Sequence, residues 1–463
     1  MLREACGIFG TYGHPSASEL TFLGLYALQH RGDEGTGIVS SDGRQIYQHK
    51  GLGQVADVFR DRSTLDSLKG HLAIGHNRYS TTGASVLTNT QPFLVNTKDG
   101  PIAIAHNGNL VNTGSLRQEL QGMGAIFQTT MDSEIIVHLV ARSREEEVLD
   151  QIVDALSRVR GAYSALLLTR DKIIAARDPM GFRPLCLGRL DEAWIVASES
   201  CALDIVAAKY IRDVEPGEIV VIDKDGLRSL KPFENTRHGF CVFEYIYFSR
   251  PDSRIFGDYV DKTRRKLGRQ LAIEQPTPGA DIVISVPDSS NTAALGYSET
   301  SKIRFEIGLI RNHYVGRTFI SPSQIMRELK VRIKYNPVGG VLKGKRVVIV
   351  EDSIVRGTTM TKLATMIRQA GAREVHVRVS SPPIRFPCYY GIDFQGTDEL
   401  IASGRTVEEI RQLLRVDTLG YLSIEGMLRA LPNSGHQYCV ACFDENYPVS
   451  IEEKVEKMLL EEV

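Results

Sequence analysis

The segment VVIVEDSIVRGTT, residues 347–359, combines residue types that could bind a phosphorylated sugar. A run of four aliphatic residues, typical of a buried strand, ends in two adjacent carboxylates, Glu351 and Asp352. In open α/β sheets ligands bind at the carboxyl ends of strands, and a helix N-terminus favours a phosphate. Carboxylates repel phosphate but suit ribose hydroxyls or Mg²⁺. The segment therefore predicts a phosphoribose site, to which the loop would contribute Ser353, Arg356, Gly357, Thr358 and Thr359.

This segment is not a Walker A loop, because the sequence contains no G-x-x-x-x-G-K-[ST]. It resembles the signature of type I phosphoribosyltransferases, which bind phosphoribosyl pyrophosphate with Mg²⁺. The resemblance implies that Ser289, in VISVPDSSNTAALGY, lies near the magnesium together with Glu351 and Asp352. Two acids alone would more simply be a buried strand ending in an acidic turn, but the match extends over thirteen residues. A mobile cationic loop over the pyrophosphate would comprise RNHYVGRTF, Lys330, Arg332 and Lys334.

Cys6, near the start of the chain, is the candidate nucleophile. The first half carries CGIFG, LQHRGDEGTG, HNRYSTTG, AHNGNL and DSE, in the order found in N-terminal-nucleophile glutaminases, which it resembles. A thiol needs a base, and an α-amino group, with a pKa of about 8 in model compounds, can serve if the cysteine is the first residue. The resemblance therefore implies that a leader, residues 1–5, is removed.

The same resemblance assigns roles to four further residues. Arg78 and Asp132 would hold the α-carboxylate and α-amino group of glutamine, and Asn107 and Gly108 would form the oxyanion hole. Taken singly, a strand arginine is more often a surface charge, and Asn-Gly is more often a hairpin turn. The set of five motifs in family order outweighs these interpretations.

Seven cysteines, an odd number in a long chain, do not indicate a disulfide framework. Two of them match no family role, and we expect small core residues at Cys186 and Cys201. The other four lie in segments that resemble the ligand-bearing segments of the iron–sulfur subclass of amidophosphoribosyltransferases, which implies one structural 4Fe-4S cluster. A zinc site and four unrelated buried thiols remain the alternatives. These four are Cys241, Cys388, Cys439 and Cys442.

The composition is that of an ordinary globular protein. The chain has 463 residues, 42% of them hydrophobic and 24% charged, and a formal net charge of -1. Neither a nucleic-acid partner nor a membrane is indicated, since no basic excess and no apolar run of about 18 residues occurs. We expect a cytoplasmic protein of two or three domains.

The elements that would position these residues divide into two sets. In the first half, short glycine-punctuated strands accompany amphipathic helices, and the resemblance implies an α/β/β/α sandwich. In the second half, aliphatic strands alternate with helices, including strands at 304–310 and 345–353, which predicts a covered parallel sheet. A polar, turn-rich stretch at 225–240 suggests domains 6–235 and 236–463, α/β and α+β in class.

Together the motifs resemble the amidophosphoribosyltransferase family over nearly the whole chain. Membership implies that glutamine is hydrolysed at Cys6 and that ammonia passes through an internal channel to the ribose, giving 5-phosphoribosylamine, glutamate and pyrophosphate. It also implies purine nucleotides as feedback inhibitors and a homotetramer. The chain departs from the usual family pattern at Asp33, Asn77 and Glu351. Two rivals are a glutaminase that serves another acceptor and a non-catalytic sensor of phosphoribosyl pyrophosphate.

Overall fold

The computed structural model describes residues 6–80, 82–233, 237–312, 333–394, 396–452 and 459–461. The predicted leader, Lys330, Arg332 and most of the predicted cationic loop lie outside these ranges. So do residues 234–236, where the domain boundary is predicted.

The first half contains thirteen strands and seven α-helices within the described ranges. The strands are β1 (Gly7–Tyr12), β2 (Gly35–Ser41), β3 (Ile46–Leu52), β4 (Leu72–Arg78), β5 (Phe93–Thr97), β6 (Gly100–Leu110), β7 (Gly161–Leu168), β8 (Ile173–Arg177), β9 (Cys186–Leu190), β10 (Ala193–Ala197), β11 (Lys209–Asp213), β12 (Ile219–Asp223) and β13 (Gly226–Leu230). The helices are α1 (Ala17–Ala27), α2 (Val55–Val58), α3 (Arg62–Ser67), α4 (Thr113–Gly122), α5 (Ser133–Arg142), α6 (Val148–Arg158) and α7 (Cys201–Ile205), with 3₁₀ turns at Gln29–Arg31 and Leu87–Asn89.

These strands form two antiparallel sheets that stack face to face. One has the order β11-β9-β10-β1-β4-β2-β3 and the other β13-β12-β8-β7-β6-β5. Alternation along β1 shows the layering: Ile8 packs between the sheets, whereas Phe9 packs under α1. Helix α1 lies so close that a Cβ at Gly24 would be 2.3 Å from the Phe9 ring. Helices α4 to α6 cover the second sheet, which gives the expected α/β/β/α sandwich.

The second half contains shorter strands and seven α-helices within the described ranges. Its strands are β14 (Phe240–Cys241), β15 (Arg254–Ile255), β16 (Asp258–Tyr259), β17 (Ile282–Ser285), β18 (Leu309–Arg311), β19 (Tyr335–Pro337), β20 (Arg346–Glu351), β21 (Glu374–Val379), β22 (Thr418–Tyr421) and β23 (Tyr438–Cys439). Its α-helices are α8 (Val260–Glu274), α9 (Asn291–Ser301), α10 (Gly339–Leu342), α11 (Thr358–Gln369), α12 (Val407–Leu414), α13 (Ile424–Ala430) and α14 (Ala441–Asp444). A π-helix spans Glu244–Phe248, and 3₁₀ turns span Thr397–Glu399, Pro432–Gly435 and Leu459–Glu461.

The expected parallel sheet has four strands in the order β17-β20-β21-β22. Val348 and Val350 of β20 pack toward α8 and α9, while Val347 and Ile349 pack toward α11 and α12. Both faces of β20 are therefore buried, which explains its unbroken aliphatic run.

The strand predicted at 304–310 does not join this sheet as a full strand. Phe305 makes a single bridge to Val283, and β18 instead pairs antiparallel with β19. The chain leaves the sheet edge because it turns before Gly308, whose N–H donates to the Glu306 carbonyl at 3.1 Å. None of the helices in the described ranges is long and apolar enough to cross a membrane.

A buried ionic network joins the two halves. Arg31 donates to Glu244 through both terminal nitrogens, at 2.9 and 2.8 Å, and to Glu199 at 2.6 Å. Arg183 donates to Glu244 at 3.1 Å. All four side chains are fully buried, so each charge depends on the others for its solvation. Burial alone would raise the pKa of Glu244, but Arg31 and Arg183 lower it.

We predict that Glu244→Gln destabilises the protein by about 3 kcal/mol or more, because it leaves the guanidinium groups of Arg31 and Arg183 buried with a missing charge. The expected fall in the thermal midpoint is about 6 to 12 °C. Glu119→Gln is the matched control, since both carboxylate oxygens of Glu119 accept from one terminal nitrogen of Arg158 at an exposed position. Its midpoint should stay within about 2 °C of wild type. Equal midpoints for the two variants in differential scanning calorimetry would contradict the prediction.

Candidate functional site

Cys6 is buried at the start of β1, in the middle of the first sheet. Its thiol donates to the Tyr79 carbonyl at 3.1 Å and accepts the Tyr79 N–H at 3.3 Å. Burial raises the pKa of the Cys6 thiol, although the Tyr79 hydrogen bond and Arg78 oppose the rise. The thiol therefore needs a neighbouring base to become a nucleophile.

Arg78, at the end of β4, is enclosed by the loop that follows it. Its terminal nitrogens donate to the carbonyls of Asn89 at 2.6 Å, Thr82 at 3.2 Å and Ala84 at 3.1 Å. Its Nε is buried and has no hydrogen-bond partner among the described residues. A guanidinium held by carbonyls, with one donor still unpaired, can donate to a ligand carboxylate.

Asn107 and Gly108 lie on β6, in the second sheet. Asn107 is fully buried, and neither its Nδ2 nor its Oδ1 has a hydrogen-bond partner in the described part of the chain. Gly108 has φ +152°, and a Cβ there would lie 2.0 Å from the Ala162 carbonyl oxygen. This position thus requires glycine, and Asn107 offers an unpaired donor beside it.

Asp132 immediately precedes α5 and accepts the Leu110 N–H at 3.0 Å. His106 Nδ1 lies 3.5 Å from its Oδ1. Burial raises the pKa of Asp132, but His106 and backbone N–H groups outweigh this effect and keep the pKa below its usual value. Asp132 is therefore an anion suited to a ligand ammonium group.

Sequence reasoning missed two histidines that support this pocket. His76 Nε2 donates to the His106 carbonyl at 3.0 Å, which joins the two sheets beside Asn107. Burial lowers the pKa of His76 to about 3, so the ring is neutral. His106 also approaches the Ala162 carbonyl, at 3.2 Å. Both histidines are visible in the HNR and AHNG motifs, but only their partners reveal what they do.

A cleft of about 500 Å³ lies at the carboxyl ends of β17 and β20. Its lining includes every residue that the sequence predicted for the phosphoribose site: Ser289, Glu351, Asp352, Ser353, Arg356, Gly357, Thr358 and Thr359. The cleft also contains Arg311, which pairs with Asp288 at 2.7 Å, and Lys334.

Asp352 organises this cleft. Its carboxylate accepts the hydroxyls of Ser289 at 2.5 Å, Ser290 at 3.3 Å and Ser353 at 2.8 Å. Burial and the adjacent Asp352 charge raise the pKa of Glu351 well above its usual value. Two adjacent carboxylates repel each other, and a bound cation or the hydroxyl groups of a ligand would stabilise the pair.

The loop between β20 and α11 is shaped to approach a ligand. Gly357, with φ +77°, precedes the first turn of α11, and a Cβ there would lie 2.4 Å from the Ile401 side chain. Thr358 and Thr359 follow at the helix N-terminus, where backbone N–H groups have no partners within the helix, and both residues line the cleft. Arg356 is paired with Glu399.

Part of the cleft wall comes from the first half of the chain. Gln29, His30 and Asp33 line it, next to Arg31. Arg31 Nε donates to the Cys6 carbonyl at 3.0 Å, so one short segment touches both the nucleophile and the second cleft. Of the three departures from the family pattern, Asp33 and Glu351 line this cleft. Asn77 is instead buried: its side-chain amide accepts a hydrogen bond from the Thr36 hydroxyl and donates one to the Leu25 carbonyl.

The four cysteines of the second half converge on a small cavity. Cys241 lies opposite Cys439 in the parallel pair of β14 and β23. Burial raises the pKa of all four thiols, that of Cys241 to about 12. The cavity is lined by Cys241, Cys388, Cys439 and Cys442 together with Phe182, Phe243, Pro387, Tyr390, Ile392, Ala441 and Tyr447. Cys186 and Cys201 are buried elsewhere, in the core beneath α1.

This cavity contacts the buried network and the first pocket. Arg183 donates to the Tyr390 carbonyl at 3.1 Å. A Cβ at Gly391 would lie 3.1 Å from the Gly108 carbonyl carbon. The segment that carries Cys388 is therefore packed against the strand that carries Asn107.

Comparisons with known proteins identify the family of the chain. Residues 76–204 match the family model described as a glutamine amidotransferase domain. Amidophosphoribosyltransferase of Bacillus subtilis is 50% identical over 455 residues, 97% of this chain and 95% of that protein. Its counterpart from Archaeoglobus fulgidus is 48% identical over 96% of this chain and 98% of that protein.

Two solved structures are each 49% identical to this chain in sequence. Each match covers 98% of this chain and 99% of the solved chain. One is described as the allosteric regulatory enzyme of purine biosynthesis, with a TM-score of 0.94. The other is glutamine phosphoribosylpyrophosphate amidotransferase from B. subtilis complexed with ADP and GMP, with a TM-score of 0.92. The sequence identity, nearly complete coverage and shared fold establish that the chain belongs to the amidophosphoribosyltransferase family.

Proposed function

We propose that the chain makes 5-phosphoribosylamine, glutamate and pyrophosphate from glutamine, water and phosphoribosyl pyrophosphate, the first committed step of purine synthesis. The observation that carries this proposal is the pairing of two sites in one fold. A pocket around Cys6 and a phosphosugar cleft around Asp352 are connected by residues 29–33.

In the first pocket, Cys6 would attack the side-chain amide carbon of glutamine. Arg78 Nε would bind the α-carboxylate and Asp132 the α-ammonium group, and Asn107 Nδ2 with the Gly108 N–H would stabilise the oxyanion. Ammonia then leaves, and water hydrolyses the thioester to glutamate. The base is the α-amino group of Cys6, which requires removal of residues 1–5. The unpaired donors of Arg78 and Asn107 support these roles.

In the second cleft, the ammonia would attack the anomeric carbon of the ribose and displace pyrophosphate. Asp352 and Glu351 would orient the ribose hydroxyls, while Ser353, Arg356, Gly357, Thr358 and Thr359 would hold the 5-phosphate at the start of α11. Ser289, Glu351 and Asp352 offer hard oxygen donors to Mg²⁺, which would neutralise the pyrophosphate when bound. Two carboxylates beside a phosphate site fit such an ion, because Mg²⁺ usually takes one or two protein carboxylates plus substrate oxygens.

The four convergent cysteines are proposed to hold one structural 4Fe-4S cluster. Their chemistry fits, since thiolates hold such clusters and the cavity is enclosed by aromatic and aliphatic side chains. A zinc ion with four cysteine ligands is the alternative occupant of this cavity.

Regulation, assembly and location complete the proposal. We infer that purine nucleotides inhibit the enzyme, which the complex of the B. subtilis relative with ADP and GMP supports. A homotetramer and a cytoplasmic location remain proposals. The identity over nearly the whole chain disfavours a glutaminase serving another acceptor, and the presence of Cys6 with the unpaired donors of Arg78 and Asn107 disfavours a non-catalytic sensor.

Cys6→Ala should abolish glutamine-dependent synthesis, by about 1,000-fold or more, because the nucleophile is lost. Synthesis from ammonium salts should remain within about twofold of wild type, since the second cleft needs only a nitrogen nucleophile. Steady-state assays with either nitrogen source measure both rates. Equal loss of both activities would mean that Cys6 is structural.

The intact mass of active wild-type enzyme should correspond to a chain beginning at Cys6.

Asp352→Asn should lower synthesis from both nitrogen sources by about 10- to 100-fold, because it removes a charge that orients the ribose and the cation. The matched control is Asp281→Asn at the opposite end of the sheet, where the carboxylate pairs with Arg346. Kinetics with varied phosphoribosyl pyrophosphate provide the measurement. Normal saturation and turnover in Asp352→Asn would show that the site is wrongly assigned.

Protein purified without air should be brown and contain iron and acid-labile sulfide in equal amounts. Cys442→Ser should lose the cluster and destabilise the second half, because the ligands close long loops. Cys201→Ser is the control, since Cys201 is buried outside this cavity. A colourless protein that contains zinc would instead support a zinc site at the four cysteines. A stable, active Cys442→Ser protein without iron would indicate ordinary buried thiols.

A further inference from the structure

The C-terminal turn Leu459–Glu461 lies against the loop that encloses Arg78. Leu460 is 2% exposed, which anchors the turn. Glu461 Oε1 accepts the Ala84 N–H at 2.6 Å and the Thr130 hydroxyl at 2.5 Å. These hydrogen bonds lower the pKa of Glu461, which is therefore a carboxylate at neutral pH.

Glu461 completes a closed set of hydrogen bonds with Ala84, Asn89 and Thr130, here called the polar ring. Asn89 Nδ2 donates to the Ala84 carbonyl at 2.9 Å and to Thr130 Oγ1 at 2.8 Å. The Thr130 N–H donates to Asn89 Oδ1 at 3.1 Å. The ring leaves little space, because a Cβ at Gly83 would lie 2.6 Å from Thr130 Oγ1.

The polar ring joins the two sides of the proposed glutamine pocket. On one side, the carbonyls of Ala84 and Asn89 accept from the Arg78 guanidinium. On the other side, Thr130 is two residues from Asp132. Glu461 bonds to both sides at once, so its carboxylate fixes the separation between the groups proposed to hold the two ends of the substrate backbone.

We propose that Glu461 is a positioning residue for glutamine: the C-terminal turn holds the Arg78 loop against Thr130 and so keeps Arg78 and Asp132 at their binding distance. This role rests on the proposed glutaminase function. Without the carboxylate, the Ala84 N–H and the Thr130 hydroxyl lose a shared acceptor, and the loop gains freedom that binding must then remove. The chemistry at Cys6 and the phosphosugar cleft need no contact with Glu461.

The test compares Glu461→Ala, Glu461→Gln and Glu452→Ala in the full-length enzyme. Glu461→Ala should raise the KM for glutamine about three- to tenfold, the range expected for one lost charge-assisted hydrogen-bond pair at a partly exposed site. We expect kcat to change by less than about twofold. Glu461→Gln keeps an acceptor oxygen and should restore at least part of the affinity. Glu452 is an exposed carboxylate of the same tail, paired with Arg160, so its variant should match wild type.

Several outcomes would overturn the inference. An unchanged KM in Glu461→Ala would show that the turn does not position the pocket, and a lower KM would show that it obstructs glutamine. A matching loss of ammonia-dependent synthesis would show general destabilisation. These results differ from failure of the proposed function, in which wild-type enzyme itself would not hydrolyse glutamine and the inference would fall with it.

Discussion

The fold depends on the buried pair between Arg31 and Glu244. Two charges without solvent contact are costly unless both are fully hydrogen-bonded. Here Arg31 uses its two terminal nitrogens on Glu244 and Glu199 and its Nε on the Cys6 carbonyl. Arg183 supplies Glu244 with a second cation and also binds the Tyr390 carbonyl. The halves of the chain therefore have one relative placement in which all these charges are satisfied, and that placement defines the sites.

This constraint explains why three chemically different sites lie close together. The carbonyl of Cys6 contacts Arg31, whose neighbours line the phosphosugar cleft. Tyr390 lines the cysteine cavity and belongs to the segment packed against Gly108. In the proposed function, ammonia released at Cys6 would travel between sites whose walls share the same buried network, and this arrangement suits transfer without loss to water.

The proposed glutamine pocket shows a different use of buried polarity. The Asn107 amide and Arg78 Nε are buried without partners in the described structure, although such groups cost about 1–3 kcal/mol each. Their surroundings hold both groups in place. Strand β6 is hydrogen-bonded to a strand on each side, and the Arg78 guanidinium donates to carbonyls of the loop that follows it. The pocket is preorganised for a charged ligand, and the ligand would repay the cost of the unpaired groups.

The sequence by itself determined the class of each half and singled out the residues that are proposed to carry the chemistry. The aliphatic run ending at Glu351 and Asp352 predicts a buried strand with its ligands at the carboxyl end, because that pattern depends only on neighbouring residues. The motifs around Cys6 are likewise recognised from short stretches of neighbouring residues. The sequence also singled out the four cysteines of the second half, since each of their segments is recognisable by itself.

Only the tertiary structure decided which distant groups meet. Arg31 and Glu244 are 213 residues apart, and Glu461 and Thr130 are 331 residues apart, so no local pattern pairs them. The departure at Asn77 gave no hint that this side chain is a satisfied core residue outside both pockets. Partner choice for buried charges is set by the packing of whole layers, because desolvation and hydrogen-bond geometry act through space and not along the chain.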